Sequence, residues 1–149
     1  MMTTKFVSVE EGNRRLLVLA AFLDELPPER FDYTKWVGRD WGGAEDLSCG
    51  TVACALGWAT TIPEFRELGL RLKLGANGSS GAVTLGDSEY ASYGTSIAAA
   101  QELFCLTSLQ VNLLFVPSGR ALYEKSTPKQ VADLIRSFAN ERWAYEDED

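Results

Sequence analysis

A stretch rich in small residues, from Asp46 to Ala59, limits what this chain can fold into more than any other feature. Asp46 is its only charged residue, and glycine, alanine and cysteine recur in it at helical spacing. Glycine inside a helix costs up to about 1 kcal/mol, so it is tolerated where a neighbouring backbone packs closely. We therefore predict a central helix over Gly50–Thr61, stopped before Pro63, against which the other elements pack.

Capping signals and apolar spacing predict a long first helix. Ser8 to Glu11 has the S-x-x-E form of a capping box, and Pro27-Pro28 ends the helical pattern. Leucines recur between these limits at the spacing of one helical face, which predicts a buried stripe. The stripe consists of Leu16, Leu19, Leu23 and Leu26.

The second half of the chain contains three further helix starts. Thr95 can cap a helix that runs to about Cys105, and the T-x-x-Q box of Thr107–Gln110 opens a short helix to Phe115. Thr127 precedes a proline at the favoured first helical position. The buried stripe predicted for that last helix is Val131, Leu134, Ile135 and Phe138.

One hairpin is predicted between the central helix and these helices. Leu70–Leu74 alternates with period two, and Ala82–Leu85 is its antiparallel partner. The fold class predicted for the chain is α+β, with a mainly helical single domain over residues 1–149. It has about five helices around the central small-residue helix, one antiparallel β-hairpin and a frayed acidic tail at 144–149.

The charge balance bears on the class of partner. The 149 residues carry a formal net charge of −7, which speaks against binding nucleic acid by neutralising phosphates and suits a basic protein surface. The longest apolar runs are far shorter than the roughly 20 residues that span a bilayer, and the first residues show no export signal. We therefore expect a cytoplasmic protein without a membrane partner.

The absence of histidine restricts the available chemistry. It removes Ser–His–Asp and Cys–His catalysis and every histidine-ligated zinc or iron site. Asp40, Glu45 and Asp46 lie close in sequence, but they lack the spacing of an EF-hand calcium loop. We predict neither a metal nor a cofactor.

The three cysteines allow one catalytic alternative. With Ser48 or Cys49 capping the central helix, the Cys49 thiol would lie at the helix N-terminus. There the macrodipole and free N–H groups lower a thiol pKa and can hold an oxyanion. The alternative function is thus a thiol-dependent enzyme using Cys49. No accompanying base is evident, and a buried structural thiol explains the same residues.

Three motifs together resemble a group of small bacterial and phage proteins. The first is Cys49-Gly50-Thr51-x-x-Cys54-x-x-Gly57, and the others are matched by Leu103–Phe115 and by Thr127–Phe138. Cys105 stands where such proteins often carry glycine. The resemblance implies one shared fold over residues 48–138 and no particular activity.

Two non-catalytic interpretations remain. Ala98–Phe115 has the apolar pattern of a helix-turn-helix, but its second helix lacks lysine and arginine, so two core helices explain the pattern better. The favoured hypothesis is an acidic protein–protein binding module without catalysis. It would be a phage-type inhibitor or accessory factor docking on a basic nucleic-acid-handling protein. Its interface candidates are Tyr33, Trp36, Trp41, Asp40, Glu45 and Asp46.

Overall fold

The computed structural model describes residues 8–31, 54–73, 82–86, 91–115 and 127–147. Within these ranges the protein has six α-helices and one two-stranded antiparallel sheet. The predicted α+β class, mainly helical with one antiparallel hairpin, is therefore confirmed. The elements are α1 (Val9–Asp24), a 3-10 helix (Pro28–Arg30), α2 (Ala55–Ala59), α3 (Pro63–Glu67), β1 (Leu70–Lys73), β2 (Ala82–Leu85), α4 (Tyr93–Phe104), α5 (Ser108–Phe115) and α6 (Pro128–Asp147).

Helix α1 begins and ends where the sequence indicates. The Ser8 hydroxyl accepts a hydrogen bond from the Glu11 N–H at 3.0 Å, which satisfies one of the free donors of the first turn. The helix ends at Asp24, ahead of the two prolines. Its predicted stripe faces the core, because Leu16, Leu19 and Leu23 are buried and Leu26 packs against them.

The predicted helix over Gly50–Thr61 is only a little more than one turn long in the described residues. Helix α2 starts at Ala55, because Cys54 is extended (φ −81°, ψ −178°) and serves as the N-cap. The prediction of a helix running through Cys54 is therefore wrong. Small residues permit close packing in any backbone conformation, so they do not by themselves favour a helix. Every residue of α2 is buried, as expected of an interior segment.

The two predicted strands pair in the antiparallel sense. Leu70 pairs with Leu85, and Lys73 pairs with Ala82, in an antiparallel ladder. Along β1, buried and half-buried side chains alternate, which matches the period-two pattern of the sequence.

Helix α4 starts two residues before the predicted cap. Ser92 is the N-cap, and its hydroxyl accepts from the Thr95 N–H at 3.2 Å. The Thr95 hydroxyl accepts from the Ser92 N–H at 2.8 Å, so Thr95 has the position that glutamate or glutamine usually takes in a capping box. The prediction of Thr95 as the cap is thus corrected to Ser92.

Helices α4 and α5 form the pair whose pattern resembles a helix-turn-helix. The two helices meet at 100°, and Thr107 and Gln110 form the predicted reciprocal cap of α5. The apolar residues that give this pattern are buried in the main core, among them Ala100, Phe104, Leu106, Val111 and Leu114. Among the described helices none is long and apolar enough by itself to cross a membrane, although this bent pair passes the same test of length and composition.

Helix α6 packs along α1 and closes the core. Thr127 and Gln130 cap each other reciprocally at its start. Val131 and Ile135 are fully buried, while Leu134 and Phe138 pack against the core from its edge. The helical backbone continues to Asp147, through part of the tail for which the sequence predicts fraying.

Cys105 ends α4 in a conformation that glycine adopts best. Its φ of 57° and ψ of 61° lie in the left-handed region, where a Cβ is strained by about 1–2 kcal/mol. Cys105→Gly should therefore stabilise the protein by about 0.5–1 kcal/mol in denaturant unfolding. Cys105→Ala keeps the Cβ and should bring no gain. Equal stabilities for the two variants would contradict the argument.

Candidate functional site

The residues that the sequence nominates for binding lie in one connecting segment, between the 3-10 helix and α2. Tyr33, Trp36 and Trp41 and the carboxylates Asp40, Glu45 and Asp46 all fall within residues 32–53, outside the described residues. Cys49 lies there too. Their assignment to an interface therefore stays a prediction, and the structure bears on it through the residues at the two ends of the segment.

The two ends of this segment are held together at one tryptophan. The indole Nε1 of Trp58 donates to the Arg30 carbonyl at 2.8 Å, and the Arg30 guanidinium lies 4.8 Å from the ring centroid. This cation–π contact joins the 3-10 helix to α2. On the other side the indole packs near Phe22 of α1, with 6.1 Å between centroids. Described residues on both sides of the segment, Arg30 before it and Trp58 after it, therefore contact each other.

Phe31, the last described residue before the segment, packs partly buried against the core. The sequence predicts that the rings of this region tie a loop to the core, and Phe31 has that role. Trp58 is the residue that sequence reasoning missed here. The sequence contained a signal for it. A buried indole N–H needs a hydrogen-bond acceptor, and the proline-bounded turn before residue 31 can supply a free carbonyl.

Charged groups on α1 are joined in a network with α3. Arg14 bonds both Glu11 and Glu64, and the Arg15 Nε donates to Glu11 at 3.1 Å. The hydrogen bond from Arg14, aided by Arg15, lowers the pKa of Glu11 to about 2. The sequence predicts the Glu11–Arg15 pair. It also predicts a pair between Glu10 and Arg14, whereas Arg14 turns to Glu11 and Glu64.

A second network joins α6 to the end of α1. Arg136 donates to both oxygens of Asp24, at 2.8 and 3.0 Å, and to Asp133 at 2.7 Å. These hydrogen bonds lower the pKa of Asp24 and of Asp133. The network is half-exposed, so it adds little stability. It joins the C-terminal end of α1 to α6 through ion pairs.

Two of the three cysteines lie within the described residues. Cys54 is 1% exposed at the start of α2, and Cys105 occupies the strained turn after α4. Helix α2 begins at Ala55, so this helix does not place the Cys49 thiol at its N-terminus. Among the described residues no three histidine, cysteine, aspartate or glutamate side chains are grouped as a metal site.

One groove runs along the outer side of α1. It has a volume of about 700 Å³, and its described wall is mostly apolar with carboxylates at the N-terminal end. The lining residues are Ser8, Glu10, Glu11, Arg14, Leu17, Val18 and Ala21.

A buried polar cluster ties three helices together and was missed by sequence reasoning. Arg142 of α6 donates to the Asn13 Oδ1 through Nε (2.9 Å) and Nη2 (2.6 Å). It also donates to the carbonyls of Phe104 and Cys105 at the end of α4. Arg15 donates to the Leu103 carbonyl at 3.0 Å. These bonds satisfy carbonyls that the end of a helix leaves free.

No family model matches this chain, and neither a curated protein nor a solved structure matches it. The function is therefore argued from the chain's own residues.

Proposed function

We propose that this chain is a non-catalytic protein-binding module that docks on a basic partner through residues 32–53. In this proposal the module is a phage-type inhibitor or an accessory factor, and its partner is a basic protein that handles nucleic acid. The acidic side chains of the segment would meet basic groups of the partner, and its aromatic rings would supply the anchors. The candidates are Tyr33, Trp36, Trp41, Asp40, Glu45 and Asp46.

The observation that supports this proposal is where the negative charge lies. The described side chains comprise ten carboxylates and nine basic groups, so the helical scaffold is nearly neutral. The whole chain has a net charge of −7. The remaining net charge of −6 includes −2 in residues 32–53 and −4 in residues 143–149. Carboxylates that do not form ion pairs with basic residues of the helices can pair with basic groups of a partner.

The anchoring at Trp58 gives a second, geometric support. A segment whose ends meet at one buried ring loses less conformational freedom on binding than a segment with free ends. The contact of Arg30 with Trp58 fixes both ends beside α2. The scaffold would then serve to present the segment.

Retention of partners by the immobilised full chain tests the proposal. At low ionic strength the chain should retain basic proteins from a cell extract, and about 0.5 M salt should release them because it screens charges beyond a few ångströms. The triple variant Asp40→Asn, Glu45→Gln, Asp46→Asn should retain at most a fifth as much.

The control carries substitutions on the scaffold instead. Glu25→Gln with Glu29→Gln removes two exposed carboxylates from the described part and should leave retention unchanged. Equal loss in the control and the triple variant would show nonspecific charge effects and contradict the proposal. Recovery of nothing at low salt would contradict it as well, since an acidic–basic contact is strongest there.

A further inference from the structure

Within the described residues, one edge of the hairpin has no hydrogen-bonding neighbour. The Gly86 N–H donates to the Gly69 carbonyl at 3.2 Å, which makes this pair a hydrogen-bonded one. Because such pairs alternate along an antiparallel ladder, Leu72 and Val83 oppose each other as a non-hydrogen-bonded pair. The N–H and C=O of both residues therefore point away from the hairpin, toward its two outer edges.

The edge of β2 is closed by α4. The Val83 N–H donates to the Ser96 hydroxyl at 2.9 Å, and the Val83 carbonyl accepts from the Thr95 hydroxyl at 2.8 Å. Side chains of the first turn of α4 thus satisfy this edge of the sheet. The described part of the chain offers no such group to Leu72, whose N–H and C=O make no hydrogen bond there.

Open volume lies beside β1. A depression of about 520 Å³ borders Leu72, and its described wall is about half apolar. The exposed Leu68, 45% accessible, contributes to that wall. The charged residues of the wall are Arg71, Lys73 and Glu67.

Arg71 makes this edge favour a negatively charged ligand. Its Nη1 donates to the carbonyls of Arg66 (2.7 Å) and Leu70 (2.9 Å), which hold the guanidinium against the strand. No carboxylate in the described ranges lies within ion-pair distance of it, although the chain as a whole is acidic. A half-buried cation fixed by neutral carbonyls keeps its charge available to an incoming anion.

We propose that β1 binds an extended acidic segment of a partner protein by antiparallel strand addition. The Leu72 N–H and C=O pair with the incoming backbone, and Arg71 meets a carboxylate side chain. We expect addition in the antiparallel sense, because the sheet is already antiparallel and parallel pairing is slightly less stable per residue. A second copy of β1 is disfavoured, since it would set Arg71 and Lys73 against the same basic residues. This binding mode uses none of residues 32–53, and the charged groups it relies on are basic rather than acidic.

Antiparallel addition fixes which residues of the peptide face the strand. The residue opposite Leu72 turns its N–H toward β1 and its side chain toward the sheet face of Leu72. Its neighbours turn their N–H groups away and their side chains toward the face of Arg71. In an alternating valine–glutamate hexapeptide with blocked ends, the valine N–H groups therefore face the protein.

Titration of the ¹⁵N-labelled full chain with this peptide tests the proposal. The Leu72 amide should exchange rapidly with solvent in the free protein, while the ladder-bonded amides of Arg71 and Lys73 are protected. Adding peptide should shift the Leu72 resonance and slow its exchange. Arg71→Gln should weaken binding about tenfold, and Lys129→Gln, which removes an exposed cation from α6, should have no effect.

Peptide variants keep the test decisive if Arg71→Gln perturbs the fold. N-methylation of the valines should abolish binding to the unaltered protein, whereas N-methylation of the glutamates should leave it intact. A valine–lysine peptide should not bind. Equal effects of the two methylation patterns, or equal binding of the valine–lysine peptide, would overturn the proposal. Failure of Leu72 to respond would overturn it as well, without bearing on residues 32–53.

Discussion

Gly12→Ala is expected to destabilise the protein by about 2–3 kcal/mol, although alanine normally stabilises a helix interior. Gly12 lies in the buried face of α1, where the end of α4 crosses it. A Cβ built on Gly12 would lie 2.2 Å from the Phe104 carbonyl oxygen and 2.6 Å from its carbon. Both are backbone atoms, which cannot rotate away as a side chain can. The strain of overpacking therefore exceeds the roughly 1 kcal/mol of helix propensity that alanine supplies.

Urea unfolding of the variant measures this effect, and Gly94→Ala is its matched control. A Cβ on Gly94 of α4 would have only the Ser92 hydroxyl oxygen near it, at 3.7 Å, which is an ordinary contact. That variant should be as stable as the parent or up to about 1 kcal/mol more stable. Stabilisation by both substitutions would show that the two helices do not approach as described and would contradict the close packing at Gly12.

The position of this close contact shows what sequence reasoning could and could not locate. Glycine at helical spacing predicts close backbone packing for Gly50–Gly57, which stays a prediction, whereas the close approach at Gly12 was not predicted. Propensity and spacing are local, whereas the identity of the packing neighbour depends on which elements cross. Gly12 and Phe104 are far apart in sequence, and no local pattern relates them.

Helix starts were predictable because capping is a local interaction. Ser8, Thr107 and Thr127 each accept a hydrogen bond from the N–H three residues later, as their sequence boxes indicate. Ser92 was missed because its partner Thr95 is not the glutamate or glutamine that defines the usual box. The strand alternation of β1 was equally local, and its pairing with β2 followed from adjacency in the chain.

The candidate interface was inferred from composition alone, and it stays a prediction. Trp36 and Trp41 lie outside the described residues, so support comes from the anchoring of Arg30 on Trp58 and from the charge balance of the scaffold. The β1 edge could not be foreseen, because the sequence does not show which side of a hairpin α4 covers. Only the bonds of Ser96 and Thr95 to Val83 reveal it.

Arg142→Met is expected to destabilise the protein by about 3–4 kcal/mol. This is among the largest losses we expect from replacing a single charged residue of this protein. The Arg142 side chain is 9% exposed and donates to Asn13 and to two carbonyls at the end of α4. Methionine retains most of the apolar stem but leaves these buried acceptors without donors. Asn13 lies one helical turn before Leu16, and Arg142 lies one turn after Phe138, so each continues the buried stripe of its helix. The sequence therefore contained enough information to predict a buried polar pair.

Arg136→Met, on the same helix, is the control, because it removes the same charge from a half-exposed position and so separates the effect of burial from the effect of charge. Arg136 pairs with Asp24 and Asp133 in a half-exposed network, so its loss should cost no more than about 1 kcal/mol. The double variant Asn13→Leu, Arg142→Met should lose at least about 1 kcal/mol less than the sum of its single variants, because each single change leaves a buried partner unpaired. Equal costs for Arg142→Met and Arg136→Met would show that the buried cluster does not hold α1, α4 and α6 together.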